Sequence, residues 1–323
     1  MPLGFSPSSI PAAYVPELLD ILFNVISPIF LIVGLAFFIG KRFGPDPRAL
    51  STVLIYLFIP ALSFRTMIQL PINGVSDIVN GDFGRAFLQI TLLSLIMMSV
   101  GIGLSRVLKL DRKTGSAFTL SVTQLNAGNL GIPLNTFAFG PEGGALALLF
   151  YVSSAMVGSM IGVFVASRGE KGIGAALMNV IRVPVGLSAL IGLAMNTFDV
   201  SLPKPVENSI FLLGDATIPA MIVLLGLLIS RMEVKTAPWR LVILAAALRL
   251  LGGAAIGFVL ASLLGQSGLA FSVAILQSAV PTAVMANALA AEFGSDAQFT
   301  SAATLISTLA SIVTLTLLIA ILR

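Results

Sequence analysis

The chain has 323 residues, of which 57% are hydrophobic and only 10% are charged, and its mean hydropathy is +1.04. Soluble domains carry about 25% charged residues, so this composition excludes an ordinary soluble protein and predicts an all-helical, polytopic membrane protein. The absence of Cys and His excludes disulfides, thiolate metal sites, cysteine nucleophiles and the commonest general base. The formal net charge of +4 does not indicate nucleic-acid binding, because basic residues in a membrane protein mostly set its orientation.

Apolar runs predict ten membrane-spanning helices, since a helix needs about 20 apolar residues to cross the hydrocarbon core. The candidate spans are residues 18–40, 49–69, 85–106, 114–138, 144–167, 183–198, 207–230, 241–264, 268–291 and 298–322. Residues 1–17 are predicted to form an extracytoplasmic tail, and their lack of a basic region argues against a cleaved signal peptide.

The basic residues predict how these spans are oriented. Most Lys and Arg residues lie in the loops after the first, third, fifth and seventh predicted spans. Basic residues concentrate in cytoplasmic loops, so these loops are predicted to be cytoplasmic. Both termini are then extracytoplasmic, and we expect the protein in the plasma membrane.

The fourth predicted span contains polar residues and helix breakers in the middle of an apolar run. They are Gln124, Asn126, Gly128, Asn129, Gly131 and Pro133. Proline removes a backbone donor and clashes one turn back, so the sequence predicts a helix break near Pro133. Unwound backbone at membrane depth is tolerated only where protein or a watery cavity covers it. The segment therefore indicates a polar site, although a simple kink with interhelical amide hydrogen bonds is the alternative.

The ninth predicted span has a related pattern, with Gln277, Pro281 and Asn287 in an apolar run. We expect Pro281 to break this helix as well. If the two breaks meet, the N-terminal ends of the half-helices direct partial positive charge and free N–H groups at one point. Such ends bind carboxylates, so the pattern favours an organic anion as ligand.

Short internal repeats relate the two halves of the chain. Ala117-Phe118-Thr119 precedes Gln124 at the same spacing at which Ala270-Phe271-Ser272 precedes Gln277. Ile59-Pro60-Ala61 in the second span matches Ile218-Pro219-Ala220 in the seventh. These matches predict two five-span repeats, residues 18–168 and 169–322, and an odd number of spans inverts the second copy. Inverted repeats with interrupted helices are typical of secondary transporters.

Two ionisable residues, Asp215 and Arg249, lie about two turns inside predicted spans. Charges at that depth are costly and are candidates for function. In one hypothesis Asp215 is a proton-coupling or gating carboxylate, and Arg249 holds an anion or pairs with Asp215. The alternative is a structural pair, or an Arg249 side chain that extends to the membrane surface. We expect such an extension for Arg65, near the outer end of the second span.

Two glycine patterns, Gly158-x-x-x-Gly162 and Gly253-x-x-x-Gly257, predict close helix packing. We expect these faces to pack within the chain rather than against a second copy.

The sequence resembles the auxin efflux carrier family, which includes bacterial relatives that handle malonate and malate. The resemblance covers residues 18–322 and is carried by the motif Asn126–Leu134, the two Ile-Pro-Ala triplets and the Gln277, Pro281, Asn287 pattern. It implies ten helices in two inverted repeats, akin to the bile-acid/sodium symporter fold. Helices 1, 2, 6 and 7 would form a scaffold, the others a transport core, and homodimers are common in such relatives.

The resemblance also implies that Asn126, Asn129, Pro133, Pro281 and Asn287 line the substrate site. We include Gln124, Gly128, Gly131 and Gln277 as further candidates. Bile-acid-type relatives place a glutamate near the break in helix nine to hold sodium. This sequence has Gln277, Ser278 and Thr282 there, without a carboxylate. Tight sodium coupling is therefore not expected, and we assign no metal site or cofactor.

These observations lead to the hypothesis of a secondary transporter of small organic anions with elevator-type alternating access. Membrane potential or protons would drive it. One alternative is a sodium-coupled symporter of the bile-acid type, and another is a non-transporting membrane sensor or assembly subunit. Without Cys, His or a phosphate-binding loop, the sequence does not indicate an enzyme. The expected partners are membrane lipid, the transported anion and a second copy of the chain in a homodimer, with protons or Na⁺ as candidate coupling ions and without nucleic acid.

Overall fold

The computed structural model describes residues 14–69, 81–166, 184–234 and 237–323, which are helical and contain no β-strand. The helices are α1 (Pro16–Phe43), α2 (Pro47–Ile68), α3 (Asp82–Val107), α4 (Arg112–Thr123), α5 (Ile132–Ala166), α6 (Pro184–Thr197), α7 (Lys204–Ser230), α8 (Trp239–Leu263), α9 (Gly268–Ser278), α10 (Val284–Glu292) and α11 (Ala297–Leu322). Most of the predicted tail, and the predicted junction between repeats at residues 168–169, lie outside the described residues.

Seven helical stretches in the described part of the chain are long and apolar enough to cross a membrane. They are α1, α2, α3, α7, α8, α11 and the stretch Ala127–Ala166, which includes α5. The last stretch turns at Gly140, whose φ of +75° is favourable only for glycine, and Pro141 follows. Helices α6 and α9 are apolar but shorter. The fourth and ninth predicted spans are each divided by a break, which leaves halves too short to cross alone.

Local sequence explains where several helices begin and end. Asp46, Asp111 and Asp296 each accept backbone N–H groups in the first turn of the helix that follows, as N-cap residues do. Gly44 ends α1 with a left-handed φ of +62°. The hydrogen bond from the Thr114 side chain, together with backbone N–H groups, lowers the pKa of Asp111 below its ordinary value of 3.8. Its carboxylate therefore stays charged at the start of α4, where the helix dipole favours negative charge.

The helices form two groups by their contacts. In the first group, α1 packs on α7, α2 packs on α6, and α2 also contacts α7. The second group comprises α3, α4, α5, α8, α9, α10 and α11, which contact one another more extensively than they contact the first group. Glycines allow the close approach within the first group. A Cβ atom at Gly226 would lie 2.3 Å from the Val33 carbonyl oxygen, and one at Gly192 would lie 2.7 Å from that of Phe64.

We expect Gly226→Ala to destabilise the protein by about 1–3 kcal/mol, because the added methyl group meets backbone that cannot rotate away. The matched control is Gly34→Ala on α1, since a Cβ there has no atom within 4 Å. The control should be neutral or slightly stabilising, because alanine favours a helix over glycine. Apparent melting temperatures in detergent measure both effects. Equal changes in the two variants would contradict close packing at Gly226.

Candidate functional site

The break in the fourth predicted span comes before its proline. Helix α4 ends at Thr123, Gln124 is extended with φ −77° and ψ 115°, and a π-helical turn begins at Ala127. The prediction of a break near Pro133 is therefore wrong in position. Pro133 lies in the first turn of α5. The π-helical turn Ala127–Gly131 runs directly into α5, because the Ile132 N–H donates to the carbonyls of Ala127 and Gly128, so Pro133 follows this turn without breaking the helix.

The break in the ninth predicted span does contain its proline. Helix α9 ends at Ser278, and α10 begins at Val284. Pro281 lies between them, so the sequence located this break correctly.

The two breaks cross and pair with each other. The backbone N–H of Asn126 donates to the carbonyl of Pro281 at 2.9 Å, and that of Ala283 donates to the carbonyl of Gln124 at 3.0 Å. Leu125 and Thr282 thereby form an isolated antiparallel bridge. These bonds satisfy backbone groups that lipid could not satisfy, which explains why unwound chain is stable there. We call this contact the crossing, meaning residues 124–126 and 279–283.

The side chains of Gln124 and Gln277 link the crossing to α5 by hydrogen bonds. The Gln124 amide donates to the carbonyl of Gly158 at 2.9 Å, and the Gln277 amide donates to that of Ala147 at 3.0 Å. Both side chains are buried. Their contacts support a positioning role for these two predicted site residues.

Gly128 and Gly131 provide the space that neighbouring side chains need. A Cβ atom at Gly131 would lie 2.3 Å from Oε1 of Gln277, and one at Gly128 would lie 2.7 Å from the Tyr151 ring. These predicted site residues therefore allow close packing around the turn that follows the first break.

The three predicted asparagines lie within or shortly after the two breaks, in different environments. The Asn126 side chain is buried, and its Nδ2 has no hydrogen-bond partner among the described residues. Asn129 is half-buried in the turn Ala127–Gly131. Asn287, also half-buried, lies in α10. The Oδ1 of Asn287 accepts from Ser301 at 2.9 Å and from Thr300 at 3.2 Å, so its amide nitrogen remains the group suited to donate to a ligand.

Arg249 lies within a π-helical turn of α8, Leu248–Gly252, and its side chain is fully buried. Its guanidinium donates to the carbonyl oxygens of Val122, at 3.1 Å, and Ser278. The hypotheses that Arg249 pairs with Asp215 or extends to the membrane surface are both wrong. The carbonyls at the ends of α4 and α9 are its partners, because unpaired C-terminal carbonyls attract a cation.

Asp215 pairs instead with Arg65, across α7 and α2. The two side chains are 2.5 Å apart, and the Asp215 side chain is 69% exposed. Arg65 also covers the ring of Phe211, with its guanidinium carbon 4.7 Å from the ring centre. The expected extension of Arg65 toward water is therefore replaced by a salt bridge within the first helix group.

Sequence reasoning missed a stripe of hydroxyl groups along α11. Its members are buried and are Thr300, Ser301, Thr304, Ser307, Thr308 and Ser311. Ser307 accepts the backbone N–H of Thr282, 3.1 Å away, while the hydroxyls of Thr304 and Thr308 have no partner among the described residues. Spacings of three and four residues place these groups on one helix face, so the periodicity of Ser and Thr was the available signal.

Both glycine patterns pack inside the chain, as predicted. A Cβ atom at Gly162 would lie 2.6 Å from Nε2 of Gln124, and one at Gly257 would lie 2.4 Å from Cβ of Ser278. The small residues therefore bring α5 and α8 close to the two interrupted helices.

A family model described as "Membrane transport protein" matches residues 21–319, which is almost the whole chain. The chain belongs to this membrane transport protein family. The match confirms the resemblance to the auxin efflux carrier family that the motif Asn126–Leu134 indicated. Together with the apolar helices, it shows a multi-pass membrane transporter, and membership of a transporter family favours transport over catalysis.

Two archaeal relatives of this membrane transport protein support the assignment. An uncharacterized transporter of Methanothermobacter thermautotrophicus is 27% identical over 286 residues, which cover 84% of this chain and 88% of the relative. An uncharacterized transporter of Methanocaldococcus jannaschii is 26% identical over 300 residues, which cover 90% and 95%. The similarity therefore spans the interrupted helices as well as the helices around them.

We expect Gly131→Ala to destabilise the transporter by about 1–3 kcal/mol, because the methyl group displaces the Gln277 amide. The same change in a Gln277→Ala background should cost less, since the obstructing side chain is gone. A double-mutant cycle of melting temperatures measures this coupling, with Gly103→Ala as a control, because a Cβ there has no atom within 4 Å. Additive effects of Gly131→Ala and Gln277→Ala would show that the two residues do not interact.

Proposed function

We propose that the protein is a secondary transporter of small organic anions and that the crossing is its binding site. The charge balance at the crossing carries this proposal. Two helix C-terminal ends meet Arg249, while two helix N-terminal ends, at Ala127 and Val284, have no side-chain cap. Each N-terminal end carries roughly half a positive charge. The described residues include no buried Asp or Glu that could balance them.

Amide donors next to these ends favour a carboxylate as the bound group. Asn129 lies in the turn that starts at Ala127, and Asn287 lies in the first turn of α10. The unpartnered Nδ2 of Asn126 is a third donor, and a buried donor without an acceptor is costly. A carboxylate supplies acceptor oxygens to all three groups and neutralises the two N-terminal ends. Pro133 and Pro281 have no backbone N–H, so neither can donate a hydrogen bond to the anion. Their contribution to the binding site is therefore indirect.

We propose elevator-type alternating access, in which the second helix group moves against the first. The contacts between helices support two inverted five-helix repeats and ten spans. Under the predicted repeat, the contact of α1 with α7 is equivalent to that of α6 with α2, and both occur. The contacts of α3 with α4 and of α8 with α9 form a second equivalent pair. The fewer contacts between the two groups leave them able to slide as units.

The ends of the helices support the proposed orientation in a plasma membrane. Arg323, at the end of α11, lies 3.4 Å from Asp20 in α1 and donates to the carbonyl of Ala138 at 3.0 Å. At the opposite end of α1, Arg231 donates to the carbonyl of Pro45 at 3.0 Å. The end of the molecule that carries Arg231 adjoins loops rich in Lys and Arg. We therefore assign that end to the cytoplasm and the chain termini to the outside.

Membrane potential is the driving force that we favour. A potential of 100 mV, negative inside, favours exit of a monovalent anion by about 2.3 kcal/mol. Asp215 is the remaining candidate for proton coupling, but it pairs with Arg65 at an exposed position in the first helix group. Sodium coupling would require oxygen ligands at the crossing, where Arg249 already supplies positive charge.

We expect Asn129→Ala to lower the rate of anion flux at limiting concentration by about tenfold or more, because it removes a hydrogen bond to a charged group. Flux of radiolabelled malonate, malate and indole-3-acetate into proteoliposomes, under an imposed potential, measures the effect. Asn24→Ala is the matched control, since that exposed amide donates to Asp20 and belongs to neither break. Absence of saturable flux of any carboxylate in the wild type would contradict the proposal.

We expect Asp215→Asn to leave the response of flux to an imposed pH gradient unchanged, because the Asp215 carboxylate is paired with Arg65 within the first helix group. The same proteoliposomes, with a pH gradient and the potential clamped at zero, measure this response. Asparagine keeps the size of the side chain and an oxygen that can accept from Arg65, so the variant should remain folded. Loss of the pH-driven component alone would instead assign proton coupling to Asp215.

A further inference from the structure

Arg249 is the largest fully buried side chain among the described residues and the single buried charge among them. Its guanidinium reaches two carbonyl groups that belong to different interrupted helices. Val122 lies in the last turn of α4, and Ser278 is the last residue of α9. One side chain from α8 therefore joins the ends of both half-helices that lead into the crossing.

These two helix ends create an electrostatic problem. The last four carbonyl groups of a helix have no partner within it, and each C-terminal end carries roughly half a negative charge. At the crossing the two ends face a common point in a buried environment, where like charges repel more strongly than in water. Together they carry roughly one negative charge. One cation at that point would balance them.

The surrounding residues are arranged to admit the guanidinium. A Cβ atom at Gly253, one turn after Arg249, would lie 2.3 Å from a guanidinium nitrogen and 2.4 Å from the Ser278 carbonyl oxygen. The π-helical turn Leu248–Gly252 shifts the register of α8 at this position. No buried carboxylate in the described ranges competes for the arginine. Backbone carbonyls are thus its defined partners.

We propose that Arg249 is a built-in counter-cation, which holds the position that a bound cation such as Na⁺ would otherwise take at the crossing. The crossing then closes without any added cation, and the transporter needs no coupling cation there. Arginine suits this position better than lysine, because its planar guanidinium presents several donors to two carbonyls at once. The contacts of Arg249 do not depend on the identity of the transported anion.

The test uses the full-length protein purified in detergent, without any transported substrate. Arg249→Ala should lower the apparent melting temperature by about 5 °C or more, because it removes a buried charge from its partners. Free guanidinium ion, at concentrations well below those that denature, should restore part of this loss. N-methylglucamine chloride at equal ionic strength and urea at equal concentration should not. Arg240→Ala is the matched control, since Arg240 is exposed on the same helix.

Two further measurements decide the matter if Arg249→Ala does not fold. Arg249→Lys, which keeps the charge, should lie between the wild type and Arg249→Gln in melting temperature. The wild type should gain no stability from NaCl over N-methylglucamine chloride. Stabilisation of the wild type by sodium, or equal melting temperatures for wild type and Arg249→Gln, would overturn the proposal. Neither result tests the proposal of an anionic substrate. The flux assay tests that proposal separately, with variants that keep Arg249 unchanged.

Discussion

The backbone of a membrane protein must find hydrogen-bond partners inside the protein, because lipid offers none. This constraint is severe at the two helix breaks, where unwound chain lies within apolar runs. Each break supplies the partners of the other, through the bonds from Asn126 to Pro281 and from Ala283 to Gln124. The crossing is therefore stable only when both halves of the chain are folded together. Other features of the second helix group can be understood as supports for this contact.

The supports are of two physical kinds, close packing and buried amides. Glycines at positions 131, 162 and 257 let helices and side chains approach the interrupted segments to distances that any larger residue would prevent. The amides of Gln124 and Gln277, one from each interrupted helix, then reach the backbone of the same helix, α5. Rigid placement of the two breaks follows from these contacts. In the proposed elevator mechanism, a binding site built on these contacts would keep its geometry while the whole helix group moved.

At the crossing, the partial negative charges of the helix C-terminal ends are balanced, and the partial positive charges of the N-terminal ends are not. Arg249 balances the two C-terminal ends, whereas the N-terminal ends of the turn at Ala127 and of α10 lack an acidic partner among the described residues. This asymmetry favours an anionic ligand over a cationic one. It also makes the proposed counter-cation and the proposed substrate complementary, since the protein supplies the positive charge and the ligand supplies the negative charge.

The sequence by itself determined the membrane class, both interrupted helices, the internal packing of the two glycine patterns and the family. Each of these follows from local composition or from spacing along one helix. The tertiary structure decided the partners. It placed Arg249 on the carbonyls of Val122 and Ser278 and paired Asp215 with Arg65. It also put the first break at residues 124–126, before Pro133, because the bonds from Asn126 to Pro281 and from Ala283 to Gln124 satisfy the unwound backbone there. A buried charge binds whatever the neighbouring helices present, and a linear sequence does not state which helices are neighbours.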